Sequence, residues 1–191
     1  MSKLKLILLL LTPLVLQQGC TTNAAPDATV GVSSAYDRRT TSMTIDDQGI
    51  EYKAARALYD NKNIYEQSHI NVISYNGIVL ITGETPTEEL KQEISSTVKA
   101  IPNVRAVHNK LLIAAPSALT SRSSDAWITS KIKTKLATDK QIEPYYINVV
   151  TENGVVYLMG IVSHSEADNA VSVVTSSAGV QRVVKIFQYT D

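Results

Sequence analysis

The stretch that decides the fold is residues 70–83, INVISYNGIVLITG, which returns in related form at residues 147–160 as INVVTENGVVYLMG. In both copies, two runs rich in β-branched residues flank an Asn-Gly pair, the dipeptide that favours two-residue hairpin turns because both positions need a positive φ. Each copy therefore predicts a β-hairpin. The positions shared by the two hairpins are the turn residues Asn76, Gly77, Asn153 and Gly154 and the later glycines Gly83 and Gly160.

The hairpins belong to a longer internal repeat. Matching residues stand 77 positions apart within the hairpins, 78 apart upstream, as for Ile50 and Ile128, and 76 apart downstream. Offsets that drift by one residue indicate small loop insertions between two copies of one fold. We therefore expect two domains and a short linker between them, at residues 45–113, 125–191 and 114–124.

Each copy begins with a predicted amphipathic helix. Apolar residues recur every fourth position at Ile50, Ala54 and Leu58, a spacing typical of a helix that is buried along one side. The second copy repeats this spacing. Asp47 and Asp125 stand near the two predicted helix starts, where a carboxylate can cap the helix and suits its dipole.

A second helix and a last strand follow each hairpin. The segments TPTE at 85–88 and SHSE at 163–166 are typical of capping boxes, with Pro86 at the tolerated first position. The last strand is expected near 104–113 and 180–189. The resulting α-β-β-α-β order predicts an α+β fold, in which two helices cover one face of a small mixed three-stranded sheet.

The composition excludes several classes of function. Lys plus Arg and Asp plus Glu both count 18, so the formal net charge is zero, which argues against a nucleic-acid binder. A single cysteine excludes an internal disulfide and any multi-cysteine metal site. The histidines His69, His108 and His164 show no metal-ligand spacing, and no common catalytic motif is present. We therefore expect no enzyme activity, no catalytic residue, no metal and no cofactor.

The N-terminus has the pattern of an export signal. Lys3 and Lys5 precede an apolar run at 6–16 that is interrupted only by Thr12 and Pro13. This run is too short to span a bilayer, which needs roughly 20 residues, and residues 1–19 are therefore predicted to be a cleaved signal peptide.

The end of this signal resembles the lipobox of bacterial lipoproteins, because Gly19 directly precedes Cys20. That resemblance implies cleavage before Cys20 and acylation of its sulfur and new amino group. Thr21, in place of an aspartate, implies sorting to the outer membrane, facing the periplasm. The Thr-, Ser- and Ala-rich residues 20–44 are predicted to form the lipidated cysteine and a flexible tether.

The folded part resembles the BON family (bacterial OsmY and nodulation domain). The resemblance rests on the element order, the glycine after each hairpin, and the pairs Asn103-Val104 and Gly179-Val180 at the start of each last strand. A lipobox, a tether and two such domains are similar to the dual-BON outer-membrane lipoproteins. The resemblance implies binding to anionic phospholipid, phosphatidylglycerol or cardiolipin, and support of outer-membrane integrity at division sites.

The repeat also indicates which copy contacts lipid. Trp127, Lys131 and Lys135 follow one another at every fourth position of the second copy's first helix, with Lys133 nearby. The equivalent places in the first copy are Gly49, Lys53 and Ala57. Because tryptophan prefers the membrane interface and lysines reach phosphates along flexible stems, these four residues of the second copy are the predicted phospholipid site.

Two alternatives stay open. In the first, Trp127 covers the end of the domain core and the lysines form a solvated face. In the second, the protein is a periplasmic interaction adaptor or chaperone-like module that binds envelope protein partners through an exposed sheet edge or the groove between the domains.

Overall fold

The computed structural model describes residues 37–191, all of which belong to one compact unit. The predicted signal peptide, Cys20 and most of the predicted tether lie outside the described residues. Between residues 37 and 191, no helix combines the length and the apolar character needed to cross a membrane.

The two copies have the predicted element order, and the α+β fold is confirmed. Domain 1 consists of α1 (Thr41–Asp60), α2 (Lys62–Tyr65), β1 (His69–Tyr75), β2 (Ile78–Thr85), α3 (Glu88–Lys99), β3 (Ala106–Asn109) and β4 (Leu112–Ile113). Domain 2 consists of α4 (Leu119–Thr138), a 3-10 turn (Pro144–Tyr146), β5 (Ile147–Glu152), β6 (Val155–Val162), α5 (His164–Thr175) and β7 (Arg182–Tyr189).

Each sheet has the mixed pairing that the sequence predicts. The hairpin strands β1 and β2 are antiparallel, as are β5 and β6, whereas β3 and β7 pair in parallel with the second strand of their hairpin. The first domain differs in having its last strand divided, so that the two-residue β4 pairs beside the end of β2. In both domains the first strand of the hairpin, β1 or β5, forms one edge of the sheet.

The hairpin turns adopt the backbone conformation that Asn-Gly favours. Asn76 and Asn153 have φ angles of 51° and 49°, and Gly77 and Gly154 both have φ of 71°. Two consecutive positive φ angles match the twist of the flanking strands, which allows the strands to pair up to the turn.

The helices pack on one face of each sheet. In domain 1, the apolar side of α1 and the buried side of α3 meet alternate residues of β2, Val79 and Ile81. Domain 2 repeats the arrangement, with α4 and α5 packed on Val156 and Leu158 of β6. Each domain therefore has its own helix-covered core.

A third apolar cluster joins the two domains through the opposite faces of the sheets. It contains Tyr75 and Leu80 from domain 1 and Tyr157 and Met159 from domain 2, all at most 4% exposed. The sheets therefore stack on one another, and the helices lie on the two outer sides. Burial on both faces explains why β6 and the first half of β2, residues 78–81, are continuously apolar rather than alternating.

Both first helices begin earlier than the sequence predicts. Helix α1 begins at Thr41, inside the predicted tether, and Thr40 caps it by accepting the Met43 N–H. Helix α4 begins at Leu119, inside the predicted linker. The first turns of both helices extend beyond the apolar residues that pack on the sheet. Hydrophobic periodicity therefore cannot predict that the helices begin this early.

The capping predictions for the second helices had different outcomes. The Ser163 and Glu166 capping box of α5 is confirmed, with reciprocal side-chain to backbone hydrogen bonds. The predicted box at 85–88 is wrong, because Thr85 is the last residue of β2 and Pro86 precedes the helix. The cap of α3 is Thr87, whose hydroxyl accepts the Leu90 N–H.

Candidate functional site

The aspartates predicted to cap the first helices instead bind the hairpin turns. Asp47 lies within α1, is 3% exposed, and accepts hydrogen bonds from Ser74 Oγ at 2.6 Å, Asn76 N at 2.7 Å and Gly77 N at 2.8 Å. The carboxylate satisfies turn N–H groups that have no partner in the strand ladder. The cap prediction was wrong because sequence distance from the helix start cannot show where the turn of the hairpin lies.

The second domain repeats this contact. Asp125 of α4 accepts the N–H groups of Asn153 at 2.8 Å and Gly154 at 2.9 Å, and is 6% exposed. In each domain, the first helix is therefore fixed to the hairpin by a buried carboxylate. This contact sets the position of α4, which carries the predicted lipid-contact residues.

The glycine after each hairpin is required by a close backbone approach. A Cβ on Gly83, where φ is +113°, would lie 2.0 Å from the carbonyl oxygen of His69. A Cβ on Gly160 would lie 2.3 Å from the carbonyl oxygen of Tyr146. These positions admit no side chain, which is a structural reason for the repeated glycine.

Trp127 lies on the surface of α4. Its side chain is 62% exposed, and the core cluster of domain 2 does not contain it. The ammonium of Lys131 stands 4.2 Å from the centre of the indole ring, within cation–π range. Leu119, two turns earlier, is 75% exposed, so α4 presents two large apolar side chains to solvent. Leu119 was not predicted because the helix was expected to begin later.

Two of the lysines that follow Trp127 donate hydrogen bonds to the loop between α5 and β7. Lys131 Nζ donates to the Ala178 carbonyl, and Lys135 Nζ donates to Ser177 Oγ at 3.0 Å. Both partners are neutral. None of the ion pairs formed by residues 37–191 involves a lysine, so neither ammonium group has a carboxylate partner.

Lys133 lies on a different side of α4. It lines a cleft of about 560 Å³ between α4, β5 and the edge strand β1 of domain 1. A separation of two residues along a helix turns a side chain by about 200°, which accounts for its distance from the row. The structure thus brings Trp127, Lys131 and Lys135 together on one surface, and places the fourth predicted residue elsewhere.

An arginine pair immediately before α1 bridges the domains. Arg38 binds Glu166 of α5 through two hydrogen bonds of 2.8 and 2.9 Å. Arg39 binds Asp47 at 3.0 Å and stacks over the Tyr75 ring at 4.0 Å. Burial raises the pKa of Tyr75 to about 12. The sequence analysis assigned both arginines to the tether, because a two-residue charged motif in a polar segment gives no periodic signal.

Three residues that are distant in the sequence could hold a metal ion. One ligand atom from each of His69, Glu84 and Glu152 lies within 4.8 Å of the others. Burial raises the pKa of Glu152. Burial also acts to raise the pKa of Glu84, but hydrogen bonds from Asn153 and Ser117 hold it below its usual value. Sequence spacing indicated no metal site because these ligands come from three different strands of two domains.

A second cleft, mainly apolar, lies beside β1. Its volume is about 580 Å³, and its walls include Tyr52, Tyr59 and Tyr65, each more than half exposed. The strand next to it is a sheet edge, whose outer N–H and C=O groups can pair with an added strand.

Two stacked α-β-β-α-β units, each with a buried aspartate that binds the Asn-Gly turn of its hairpin, define a tandem-repeat α+β protein. The chain belongs to the BON domain family, whose pattern matches residues 46–115 and 124–191.

Three relatives are similar to this chain in sequence. The chain is 32% identical to the outer membrane lipoprotein DolP of Haemophilus influenzae over 191 residues, which is 100% of this chain and 99% of that protein. It is 31% identical to the 21 kDa hemolysin of Actinobacillus pleuropneumoniae over 80% of this chain and 79% of the relative. It is 30% identical to the osmotically-inducible protein Y of Escherichia coli over 73% of this chain and 70% of that protein.

Proposed function

We propose that this protein is a non-enzymatic outer-membrane lipoprotein that faces the periplasm and binds anionic phospholipid through α4. Acylated Cys20 would hold it at the membrane. The observation that carries the proposal is the exposed Trp127, 62% accessible, with Lys131 stacked 4.2 Å from its ring. The full-length similarity to a protein named outer membrane lipoprotein supports the location.

The chemistry of this surface suits an anionic interface. Trp127 and Leu119 offer apolar surface for the region between headgroups and acyl chains. Lys131 and Lys135 can exchange their neutral loop partners for phosphate oxygens without breaking an ion pair. Each lysine near an anionic surface contributes about 1 kcal/mol. Lys133, within the cleft, adds charge at longer range.

The first domain provides an internal contrast. At the places equivalent to Trp127, Lys131 and Lys135, α1 has Gly49, Lys53 and Ala57. Only one of the three is cationic, and none is aromatic. The proposal therefore assigns lipid contact to domain 2 and predicts that Lys53 contributes little.

Attachment of the protein to the membrane lowers the affinity for phospholipid that α4 needs. A tether at residues 20–44 would keep α4 near the bilayer, so weak contacts act at a high effective concentration. The proposed physiological role, support of outer-membrane integrity at division sites, follows from the family resemblance. It predicts that wild-type protein, but not the Trp127→Ala variant, restores detergent resistance to a deletion strain.

A second candidate function is a periplasmic interaction adaptor that binds envelope proteins. The apolar cleft beside the edge strand β1 favours it, since an extended peptide could add a strand there and place side chains among the exposed tyrosines. Such binding would be independent of vesicle charge.

Vesicle co-sedimentation of the chain from residue 21 tests the lipid proposal. Binding to phosphatidylglycerol or cardiolipin vesicles should exceed binding to phosphatidylcholine vesicles and weaken with salt. Trp127→Ala should lower the affinity at least tenfold, because burying a large apolar side chain is worth about 1.5–3 kcal/mol. Lys131→Ala should lower it about fivefold.

The matched control is Lys53→Ala, which removes the equivalent lysine of domain 1 and should leave the affinity within twofold of wild type. Equal losses in Lys53→Ala and Lys131→Ala would indicate that net charge alone drives binding. Absence of binding to every vesicle would exclude the lipid proposal and favour a protein partner.

A further inference from the structure

We propose that His69, Glu84 and Glu152 form a binding site for a first-row divalent metal ion of the Zn²⁺ type at one corner of the interface between the domains. His69 Nδ1 and Glu84 Oε2 are 3.2 Å apart, and one ligand atom from each of the three residues lies within 4.8 Å of the others. Nitrogen and oxygen ligands about 2.0–2.2 Å from a tetrahedral Zn²⁺ are themselves roughly 3.3–3.6 Å apart.

The carboxylates need a counter-charge that the protein supplies poorly. Glu84 is 2% exposed and Glu152 is 8% exposed, and buried charges are ordinarily paired or bound to a metal. Among the ion pairs formed by residues 37–191, Glu84 has His69 as its one basic partner and Glu152 has none. One imidazole therefore faces two buried carboxylates from different domains.

The repeat offers an internal comparison for this corner. At the offset of 77, His69, Glu84 and Glu152 correspond to Tyr146, Ile161 and Tyr75. Those residues also meet at a domain corner, since the Tyr75 hydroxyl donates to the Tyr146 carbonyl at 3.3 Å. The interface between the domains thus has two equivalent corners. The acidic corner contains His69, Glu84 and Glu152, and the aromatic corner contains Tyr146, Ile161 and Tyr75.

The chain supplies cations at the aromatic corner. Arg38 stacks over Tyr146 at 4.0 Å and donates to the Ile161 carbonyl at 2.9 Å. The corresponding segment before α4 contributes Ser117, a neutral residue whose N–H donates to Glu84 Oε2 at 3.1 Å and whose side chain also hydrogen-bonds this carboxylate. Arg122 and Lys133 line the cleft beside the corner that contains His69 and Glu152, but among the ion pairs of residues 37–191 neither of them binds Glu84 or Glu152.

The surroundings of the acidic corner also fit a metal. The Asn153 amide donates to Glu84 Oε1 at 2.7 Å, and together with Ser117 N it orients the carboxylate, as residues around metal ligands commonly do. The 560 Å³ cleft that contains His69 and Glu152 gives the site access to solvent, so water can complete a four-coordinate shell. Imidazole with carboxylates suits Zn²⁺ and its neighbours rather than Mg²⁺ or Ca²⁺.

Metal binding would join domain 1, through His69 and Glu84, to domain 2, through Glu152. An ion that binds only this folded arrangement stabilises it by mass action. At a free Zn²⁺ concentration of 100 times Kd, the midpoint of thermal unfolding should rise by about 5–10 °C.

Calorimetric titration of ZnCl₂ into the chelator-treated, full-length lipoprotein in detergent tests the site. We expect one ion per chain and the thermal shift given above. His69→Gln and Glu152→Gln should each weaken binding at least tenfold and abolish the shift. The matched control is His164→Gln, which removes the exposed histidine that contacts Asp191 at 2.9 Å and should leave both readouts unchanged.

Co²⁺ substitution makes the test independent of variant folding, because it uses the wild-type protein. Co²⁺ bound in a four-coordinate site of nitrogen and oxygen ligands gives visible absorption bands, and these bands disappear when Zn²⁺ displaces the Co²⁺. One displaceable ion that depends on His69 supports the proposal. Absence of binding, unchanged binding in His69→Gln, or loss of binding in His164→Gln would each overturn it.

Discussion

Asp47→Ala should strongly destabilise the protein, because this carboxylate fixes the first hairpin to α1. The substitution removes the acceptor of two turn N–H groups and the Ser74 hydroxyl, and breaks the 3.0 Å ion pair with Arg39. A hydrogen bond to a charged group is worth about 1.5–3 kcal/mol, and each buried group left without a partner costs about 1–3 kcal/mol. Allowing for water that enters the gap, we expect a loss of about 4 kcal/mol.

Asp125→Ala is the natural comparison because it removes the same contact with fewer donors. Only the two turn N–H groups of Asn153 and Gly154 lose their acceptor, so a loss of about 3 kcal/mol is expected. Asp60→Ala, which removes an exposed ion pair with Arg56, should change stability by less than about 1 kcal/mol.

Urea unfolding followed by circular dichroism measures all three variants. The midpoint of thermal unfolding should fall by about 10 °C for Asp47→Ala. A loss under about 1 kcal/mol, or a loss equal to that of Asp60→Ala, would refute the assignment of Asp47 as the residue that fixes the hairpin to α1.

The remaining predictions concern the glycines, the arginine bridge and the core between the domains. Gly83→Ala should cost more than about 2 kcal/mol in urea unfolding because its Cβ would meet a carbonyl at 2.0 Å, whereas Gly49→Ala, with open space in a helix, should stabilise by about 0.8 kcal/mol. Burial acts to raise the pKa of Glu166, but hydrogen bonds from Arg38 and Ser163 hold it below its usual value. The stability that results is present above about pH 4.3, the ordinary glutamate pKa, and is lost as pH falls through the folded value. Acid unfolding of Arg38→Ala should therefore show a smaller loss between pH 7 and pH 3 than wild type, and an unchanged loss would contradict the bridge. Leu80→Ala, fully buried between the sheets, should cost about 2–5 kcal/mol and shift NMR signals of domain 2, and an effect confined to domain 1 would argue against the shared core.

Much of the fold is local in origin and could be predicted. The Asn-Gly turns, the fourfold spacing of apolar residues in the helices and the repeat at an offset of 77 each depend on neighbouring residues or on self-comparison. These features gave the element order and the mixed sheets. The packing of the domains was not predicted, although the apolar runs at 78–81 of β2 and 155–159 of β6 carry a signal for it, because residues on both faces of these strands are buried.

The candidate site was predicted only in part, for geometric reasons. Trp127, Lys131 and Lys135 share a row because every fourth residue of a helix does, while Lys133 points into the cleft. Leu119 was missed because exposed first turns lack periodicity. The cluster of His69, Glu84 and Glu152 depends on how two domains meet, and no spacing along one chain segment encodes that.

The emission of Trp127 tests the central claim most directly, because it is the sole tryptophan of the chain and therefore needs no label. The protein from residue 21 would be titrated with phosphatidylglycerol vesicles and, separately, with phosphatidylcholine vesicles. We expect a blue shift with the anionic vesicles alone, reversed by salt, as the indole leaves water for the interface. Binding to anionic vesicles without any change in the emission of Trp127 would contradict the assignment of α4 as the lipid-contact surface.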